Sequence, residues 1–398
     1  MGAYQYGVYS FVLTSLAIIS LIPRFGLDTI LTRYISEYLV KKQWKELRGI
    51  LSFSYNISIL ISAALILFIY FILNIFDFSL DFNTDILALG LLVIPVLCLA
   101  KFNQSSIQSL RRPALSLLGN LIITPILIIA GLFFVLNVSV PIAENLIWIY
   151  CIAVVLSYTA MMIILEKLLL DVPKIKNRIY KKREWLIAAV PLFIASGLNI
   201  LLGRIDILML GLLANSREVG IYTIASLIAT PISFILMAIN NILAPEISSL
   251  YQLGKTDEIQ KLLTRYMRIA LVVTIPVVLV VFIAGYYLLL LFGNAFAEGH
   301  LALLILTVGQ FINVFMGSVG VIMNMTNRQR LSAIILGFAV IVNVLLNILL
   351  IPGYGKTGAA IATTLTIILW NYLMYLHIKR RLLINPTAMP LIRRYLIN

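Results

Sequence analysis

Five charged residues sit where an apolar chain should carry none. Arg24, Asp28, Lys101, Arg204 and Asp206 all fall inside long hydrophobic runs. A charge near the middle of a bilayer costs roughly 2.5–3.5 kcal/mol on insertion scales, so such residues face a water-filled cavity or a partner. Arg24 and Asp28 are four apart, share a helix face and can pair; Arg33 follows on the same segment. For these cations, snorkelling at the inner boundary and a place in a cationic lining both fit. Lys101, Gln104, Ser105 and Gln108 recur at i, i+3, i+4 and i+7, which is one polar stripe along a helix. Such a stripe lines a cavity or hydrogen-bonds a neighbouring helix. Arg204 and Asp206 are two apart and point to nearly opposite sides, so each needs its own partner, a cavity ligand or an ion pair to another helix.

The surroundings of these residues define the class. Of 398 residues, 62% are hydrophobic and only 12% charged. A water-soluble fold runs near half apolar and a quarter charged, so the expectation is an all-α polytopic membrane protein. The net charge of +14 would suggest nucleic acid in a soluble chain. Here the basic residues sit in short gaps between apolar runs, which favours topology signals and lipid headgroups, with no nucleic-acid partner. Cys98 and Cys151 both lie in apolar runs and suggest neither a disulfide framework nor a metal site. The opening Met1–Gly7 has no basic region or small-residue cleavage site, so no signal peptide is read.

Eleven spans of about 20 residues or more are expected. They are Tyr6–Ser36 (broken near Pro23), Gly49–Asn74, Asp85–Leu110, Pro113–Asn137, Glu144–Leu169, Trp185–Leu213, Gly220–Leu250, Lys261–Phe292, Gly299–Met325, Arg328–Ile351 and Thr357–Lys379. Lys and Arg fill alternate gaps: Lys41 to Arg48, Arg111 and Arg112, Lys174 to Arg183, Lys255 and Lys261, Arg328 and Arg330, and Lys379 to Arg381. The other gaps hold only Arg217 and Lys356, against Asp77, Asp81, Glu144, Glu218 and Glu298. The positive-inside rule then puts the basic gaps and the C-terminus in the cytoplasm of a multi-pass cell-membrane protein. Prolines inside spans (Pro23, Pro95, Pro125, Pro191, Pro231, Pro276) remove backbone hydrogen bonds and permit kinks, static or as bending points.

The chain also repeats itself. Tyr6-Gly7-Val8-Tyr9-Ser10 matches Val219-Gly220-Ile221-Tyr222-Thr223 at an offset of 213. Glu46–Leu51 echoes Glu258–Leu263, and Leu115-Ser116 echoes Leu331-Ser332. Two six-helix lobes related by a pseudo-two-fold axis along the membrane normal are expected, with a cleft between them. The counterpart of Trp185–Leu213 in the first lobe would precede residue 1, which reads as an absent first helix. The expected division is 1–170 for the first lobe, 171–184 for a basic cytoplasmic linker, 185–379 for the second lobe and 380–398 for a basic cytoplasmic tail. In the second lobe, Asn240 and Asn241 stand near the equivalent of Asp28, and Gln310 with Asn313 near that of the Lys101 stripe, polar but uncharged.

Gly7-Val8-Tyr9, Gly26-Leu27-Asp28 with Arg33-Tyr34-Ile35, the segment Trp44–Leu51, Arg204–Gly211 followed by Val219–Tyr222, Pro245–Ser248 and Gly355–Ala362 together resemble the polysaccharide-biosynthesis flippases. These belong to the multidrug/oligosaccharidyl-lipid/polysaccharide exporter superfamily. The resemblance covers essentially the whole chain, and it implies a two-lobe transporter of the MATE and MurJ type. Such a transporter moves an undecaprenyl-diphosphate-linked sugar from the inner to the outer leaflet by alternating access. Arg24, Lys101 and Arg204 would offset the diphosphate charge. Membrane lipids, the lipid-linked glycan and glycan-assembly enzymes are the partners implied. No cofactor is expected, and a coupling proton or sodium ion is left open.

Two other classes make different demands on the sequence. A drug or cation antiporter of the same superfamily wants acids in the cavity, and the spans carry Asp28 and Asp206 against three cations. A membrane polysaccharide polymerase or ligase wants a long outside loop, and the longest here, near Ile75–Thr84, is short. Gly355-Lys356-Thr357 ends like a phosphate-binding loop, but Leu350 stands where that loop requires glycine. No Ser-His-Asp set or close carboxylate pair stands out, so no enzyme is expected.

Overall fold

The computed structural model describes residues 2–75, 81, 84–138, 142–170, 173 and 177–387, with the side chains of 73, 74 and 138 excepted. Asp77, Lys174, Lys176 and the tail beyond Thr387 therefore lie outside the described residues. Those described form helices and connecting turns with no strand, as a bilayer demands of a chain whose backbone groups must pair within each segment.

The helices run α1 (Ala3–Ile19), α2 (Leu21–Arg24), α3 (Leu27–Val40), α4 (Trp44–Ile75), α5 (Thr84–Leu91), α6 (Ile94–Ser109), α7 (Pro113–Leu118), α8 (Thr124–Val138) and α9 (Ala143–Leu168). They continue through α10 (Lys182–Leu213), α11 (Ser216–Ala229), α12 (Phe234–Gln252), α13 (Thr256–Leu290), α14 (His300–Met316), α15 (Val319–Met325) and α16 (Gln329–Leu382). Among the described residues, ten stretches are long and apolar enough to cross a membrane. The last, α16, has 54 residues. Straight, it would reach about 81 Å, against a hydrocarbon core of about 30 Å. It turns at Gly355, whose φ of 50° and ψ of −131° are not helical. It thus supplies two crossings, and the ten stretches carry the eleven spans expected from the sequence.

The first span is broken near Pro23, as expected, but not by the proline itself. Pro23 is the third residue of α2, where its missing N–H would be unpaired in any case. The break comes two residues later, at Phe25 (φ 43°) and Gly26 (φ 73°), both left-handed. Gly26 is needed twice there: for its φ, and because a Cβ would strike the backbone of Ala189 and Phe193. Phe25 stacks on Phe193, with centroids 5.0 Å apart. Other prolines do mark breaks. Pro95 opens α6, Pro125 follows a π-helical turn at Gly119–Ile123, and Pro231 lies in a 3₁₀ turn at Thr230–Ser233. Pro191 and Pro276 stay inside α10 and α13.

Among the described residues, those within 8–200 make one compact unit, and residues 2–7 with 201–387 make the other. The division falls inside α10. In the first unit, Trp185 at the start of α10 is fully buried among α3, α4 and α6 residues. Its indole N–H donates to the Tyr38 hydroxyl at 3.0 Å, which satisfies the ring's one polar atom. The basic segment is not a loose connector where it is described. The Ile179 N–H donates to the Lys45 carbonyl at 3.2 Å. The Ile179 carbonyl occupies the space a Cβ on Gly49 would need. Arg178 Nη1 donates to Ser52 Oγ at 2.5 Å. Lys45, Gly49 and Ser52 lie on one face of α4, so residues 178–179 form a strap along that face.

The second unit has a matching strap. Leu383, at φ 57°, turns the chain off α16. Gln260 then brackets the Asn385 backbone: the Asn385 N–H donates to Gln260 Oε1 at 2.6 Å, and Gln260 Nε2 donates to the Asn385 carbonyl at 3.0 Å. Ile384 joins the core of Ile259, Leu263, Met267 and Val314. In the same unit the first turns of α1 and α11 meet. A Cβ on Gly7 would overlap the Ser216 carbonyl, and one on Gly220 would overlap the Ala3 carbonyl. The offset of 213 carries Ala3 onto Ser216 and Gly7 onto Gly220, so the contact is self-complementary, as a local two-fold contact must be.

Candidate functional site

In the first unit, Arg24 does not snorkel. It is 8% exposed, with Nε donating to the Ser20 carbonyl at 3.0 Å and Nη2 to Ser20 Oγ at 3.3 Å. The pairing with Asp28 is present but loose, at 3.7 Å. Arg33 lies on the exposed side of α3, its guanidinium 5.5 Å from the Tyr34 ring centroid, and it does not join the other two. Lys101 stands on α6, which packs against both α2 and α3.

The polar stripe of α6 is on its less buried side. Lys101, Gln104 and Ser105 are half-buried and Gln108 is exposed, while Phe102, Asn103, Ser106 and Ile107 are buried behind them. Lys101 Nζ and Asn120 Nδ2 both donate to Gln104 Oε1, at 3.0 and 2.9 Å. Asn120 reaches Gln104 from the π turn, which widens the helix by one residue and re-aims its side chain. The Thr124 N–H closes that turn onto the Gly119 carbonyl, which also accepts from Ser157 Oγ at 3.1 Å. Lys101 forms no ion pair within the described residues, and an ammonium has three N–H groups. The cluster therefore holds a positioned cation with donors to spare, beside amide groups that suit hydroxyl-rich ligands.

In the second unit, Arg204 and Asp206 diverge as their spacing requires. Arg204 is exposed and has no hydrogen bond or ion pair among the described residues. Asp206 is 5% exposed. Its partner is not the cation of an interhelical ion pair. Oδ2 accepts from the Tyr222 hydroxyl and from Thr363 Oγ1 at 3.3 Å, and Oδ1 accepts from the Ile207 N–H at 2.9 Å. Asn240 is half-buried and Asn241 exposed on α12. Asn313 accepts from Asn371 Nδ2 at 3.0 Å; Gln310 has no such bond among the described residues.

Several polar residues were not singled out from the sequence. Asn343 donates to Thr366 at 3.1 Å and accepts from Asn347 at 2.8 Å, all buried in α16. Their i, i+4 spacing was a readable signal. Tyr55 bonds Asn103 inside the first unit. Glu218 binds Lys356 twice, through the backbone N–H at 2.8 Å and the ammonium at 2.7 Å. Arg217 pairs with Glu298 at 2.6 Å. The segment that mimicked a phosphate loop is thus a clamped helix break.

The comparisons with known proteins agree with this architecture. The family described as "Polysaccharide biosynthesis protein" matches residues 1–251, and the MatE family matches 191–349. The chain is 30% identical over 172 residues to "Probable flippase AglR" of Haloferax volcanii, covering 42% of this chain and 36% of that protein. It is 27% identical over 194 residues to "Capsular polysaccharide biosynthesis protein CapF" of Staphylococcus aureus, covering 48% of each. The chain thus spans less than half of either relative. Among solved structures it is similar to an inward-facing MATE multidrug transporter of the MOP superfamily, with a TM-score of 0.77 at 13% identity over 96% of this chain and 91% of that one. It is also similar to the lipid II flippase MurJ, with a TM-score of 0.69 at 17% identity over 95% and 86%. These likenesses give the fold alone, an all-helical one shared with those proteins; the match over residues 1–251 gives the family. This chain belongs to the polysaccharide biosynthesis protein family.

Proposed function

We propose that the protein moves a polyprenyl-diphosphate-linked oligosaccharide from the inner to the outer leaflet by alternating access, for surface polysaccharide assembly. The observation that carries this reading is the Lys101–Gln104–Asn120 cluster. It offers a cation with unspent N–H donors and adjoining amides on the less buried face of a membrane-spanning helix. A diphosphate needs the first and a sugar the second. Arg204 adds an exposed cation with no ion-pair partner among the described residues. The polyprenyl tail stays in lipid. Each uncompensated negative charge moved outward gains about 2.3 kcal/mol per 100 mV, inside negative, so no nucleotide is required. The basic gaps and the C-terminus face the cytoplasm in this reading.

The test is charge reversal, Lys101→Glu and Arg204→Glu, in a strain whose surface polysaccharide depends on this gene. Loss of surface polymer with normal protein levels is expected; unchanged polymer overturns the reading. The MatE match and the buried carboxylate of Asp206 favour a second reading, a cation-coupled antiporter. It predicts drug efflux abolished by Asp206→Asn and unchanged by Lys101→Glu.

A further inference from the structure

A cavity of about 250 Å³ opens in the first unit between the starts of α4 and the strap and the end of α9. Arg48, Ser52, Arg178 and Glu166 supply its polar wall, Met162 and Leu165 its apolar one. Two guanidinium groups thus face one carboxylate. The strap fixes Arg178: Ile179 is tied to Lys45 and seated on Gly49, and Arg178 itself bonds Ser52 at 2.5 Å. The exposed Tyr180 phenol beside them is held below its ordinary pKa by a hydrogen bond from Ser52 foremost and then by Arg178.

The two walls together select a ligand. Planar guanidinium forks match phosphate oxygens in shape and charge, but a free anion gains nothing from Met162 and Leu165. A phospholipid has both a charged phosphodiester and a chain to lay on the apolar side. The position suits it as well. Lys45 lies in the first turn of α4, Lys167 in the last turn of α9, and Lys181, Lys182 and Arg183 directly after the strap. Further along, α4 presents exposed Ile59, Leu60, Leu67 and Phe68, the surface of a helix meeting hydrocarbon. The cavity therefore marks the passage from headgroup to acyl region, where basic pockets between spanning helices take anionic lipids.

We propose that this cavity binds the phosphodiester headgroup of an anionic membrane phospholipid, with Arg48 and Arg178 as its phosphate ligands. Its lining shares no residue with the Lys101–Gln104–Asn120 cluster.

The experiment uses the full chain in detergent, with phosphatidylglycerol or phosphatidylcholine added and retained lipid counted by native mass spectrometry. Phosphatidylglycerol should be kept about tenfold over phosphatidylcholine, and Arg48→Gln with Arg178→Gln should abolish that preference. Met162→Trp fills the cavity while leaving both arginines and should also lower retention. Glu166→Gln removes the one opposing charge and should raise retention, an effect that misfolding cannot produce. Excess inorganic phosphate should fail to displace the lipid. Equal retention of the two lipids, no response to the arginine or Glu166 variants, or displacement by phosphate would each overturn the proposal.

Discussion

Glu218 holds Lys356 by both ends: one carboxylate oxygen accepts the backbone N–H at 2.8 Å, the other the ammonium at 2.7 Å. This is the place where α16 breaks at Gly355, and the break frees backbone groups that a continuous helix would pair. One turn further along α11, Tyr222 reaches Thr363 and Asp206. Two polar ties on one face of α11 therefore fix the second limb of α16. Glu218→Ala removes the partner of a half-buried cation and of a freed N–H. A loss of about 2 kcal/mol in thermal stability in detergent is expected, with Glu218→Gln losing less.

Tyr222 is the deeper tie. Tyr222→Phe leaves Asp206 with Thr363 and a backbone N–H but without its hydroxyl donor. Hydrogen bonds to charged groups contribute about 1.5–3 kcal/mol, and a loss in that range is expected. The paired change, Asp206→Asn with Tyr222→Phe, should cost less than the sum of the single changes. A double-mutant cycle with no coupling would contradict the tie.

The glycine contact between Gly7 and Gly220 predicts a different signature. Each added methyl meets backbone, which cannot rotate away. Gly7→Ala and Gly220→Ala should each destabilise the second unit by about 1–3 kcal/mol or more, as seen in melting temperature. Alanine at Gly197, where a Cβ meets nothing, serves as the control and should be tolerated.

Gln104 separates positioning from charge. Gln104→Leu removes the common acceptor of Lys101 and Asn120 but keeps the cation. Transport should fall while melting shifts by about 1 kcal/mol or less. Gln104→Glu would restore the acceptor but neutralise the field, and transport should stay low. Full activity in Gln104→Leu would mean that the cluster geometry is irrelevant to substrate.

What the sequence disclosed follows from the range of its signals. Spans, repeats and the Lys101 stripe are local patterns in hydropathy and spacing, and the Arg24–Asp28 pair needs only i, i+4. Contacts across the chain had no such signature. Thr363 lies 157 residues from Asp206, and Lys356 lies 138 from Glu218, so neither partner could be named in advance. Spacing left Arg24 open between the membrane boundary and a cationic lining, and its hydrogen bonds back to Ser20 are what bury it. Gly49 resembles any other helical glycine until Ile179 is seen against it. Asn120 needed the π turn, which no hydropathy pattern announces.

The two straps bear on the order in which the protein is made. Each lies after the helices it closes over: residues 178–179 bind α4, and residues 384–387 bind Gln260 on α13 and the loop at Gly317. The first unit can fasten α4 as soon as the ribosome has released the segment before α10. The second must keep Ile259, Leu263 and Met267 open until residue 384 emerges. Its core is the later and more exposed of the two during synthesis, so a stalled or shortened product would leave the membrane with one finished half and one half awaiting its latch.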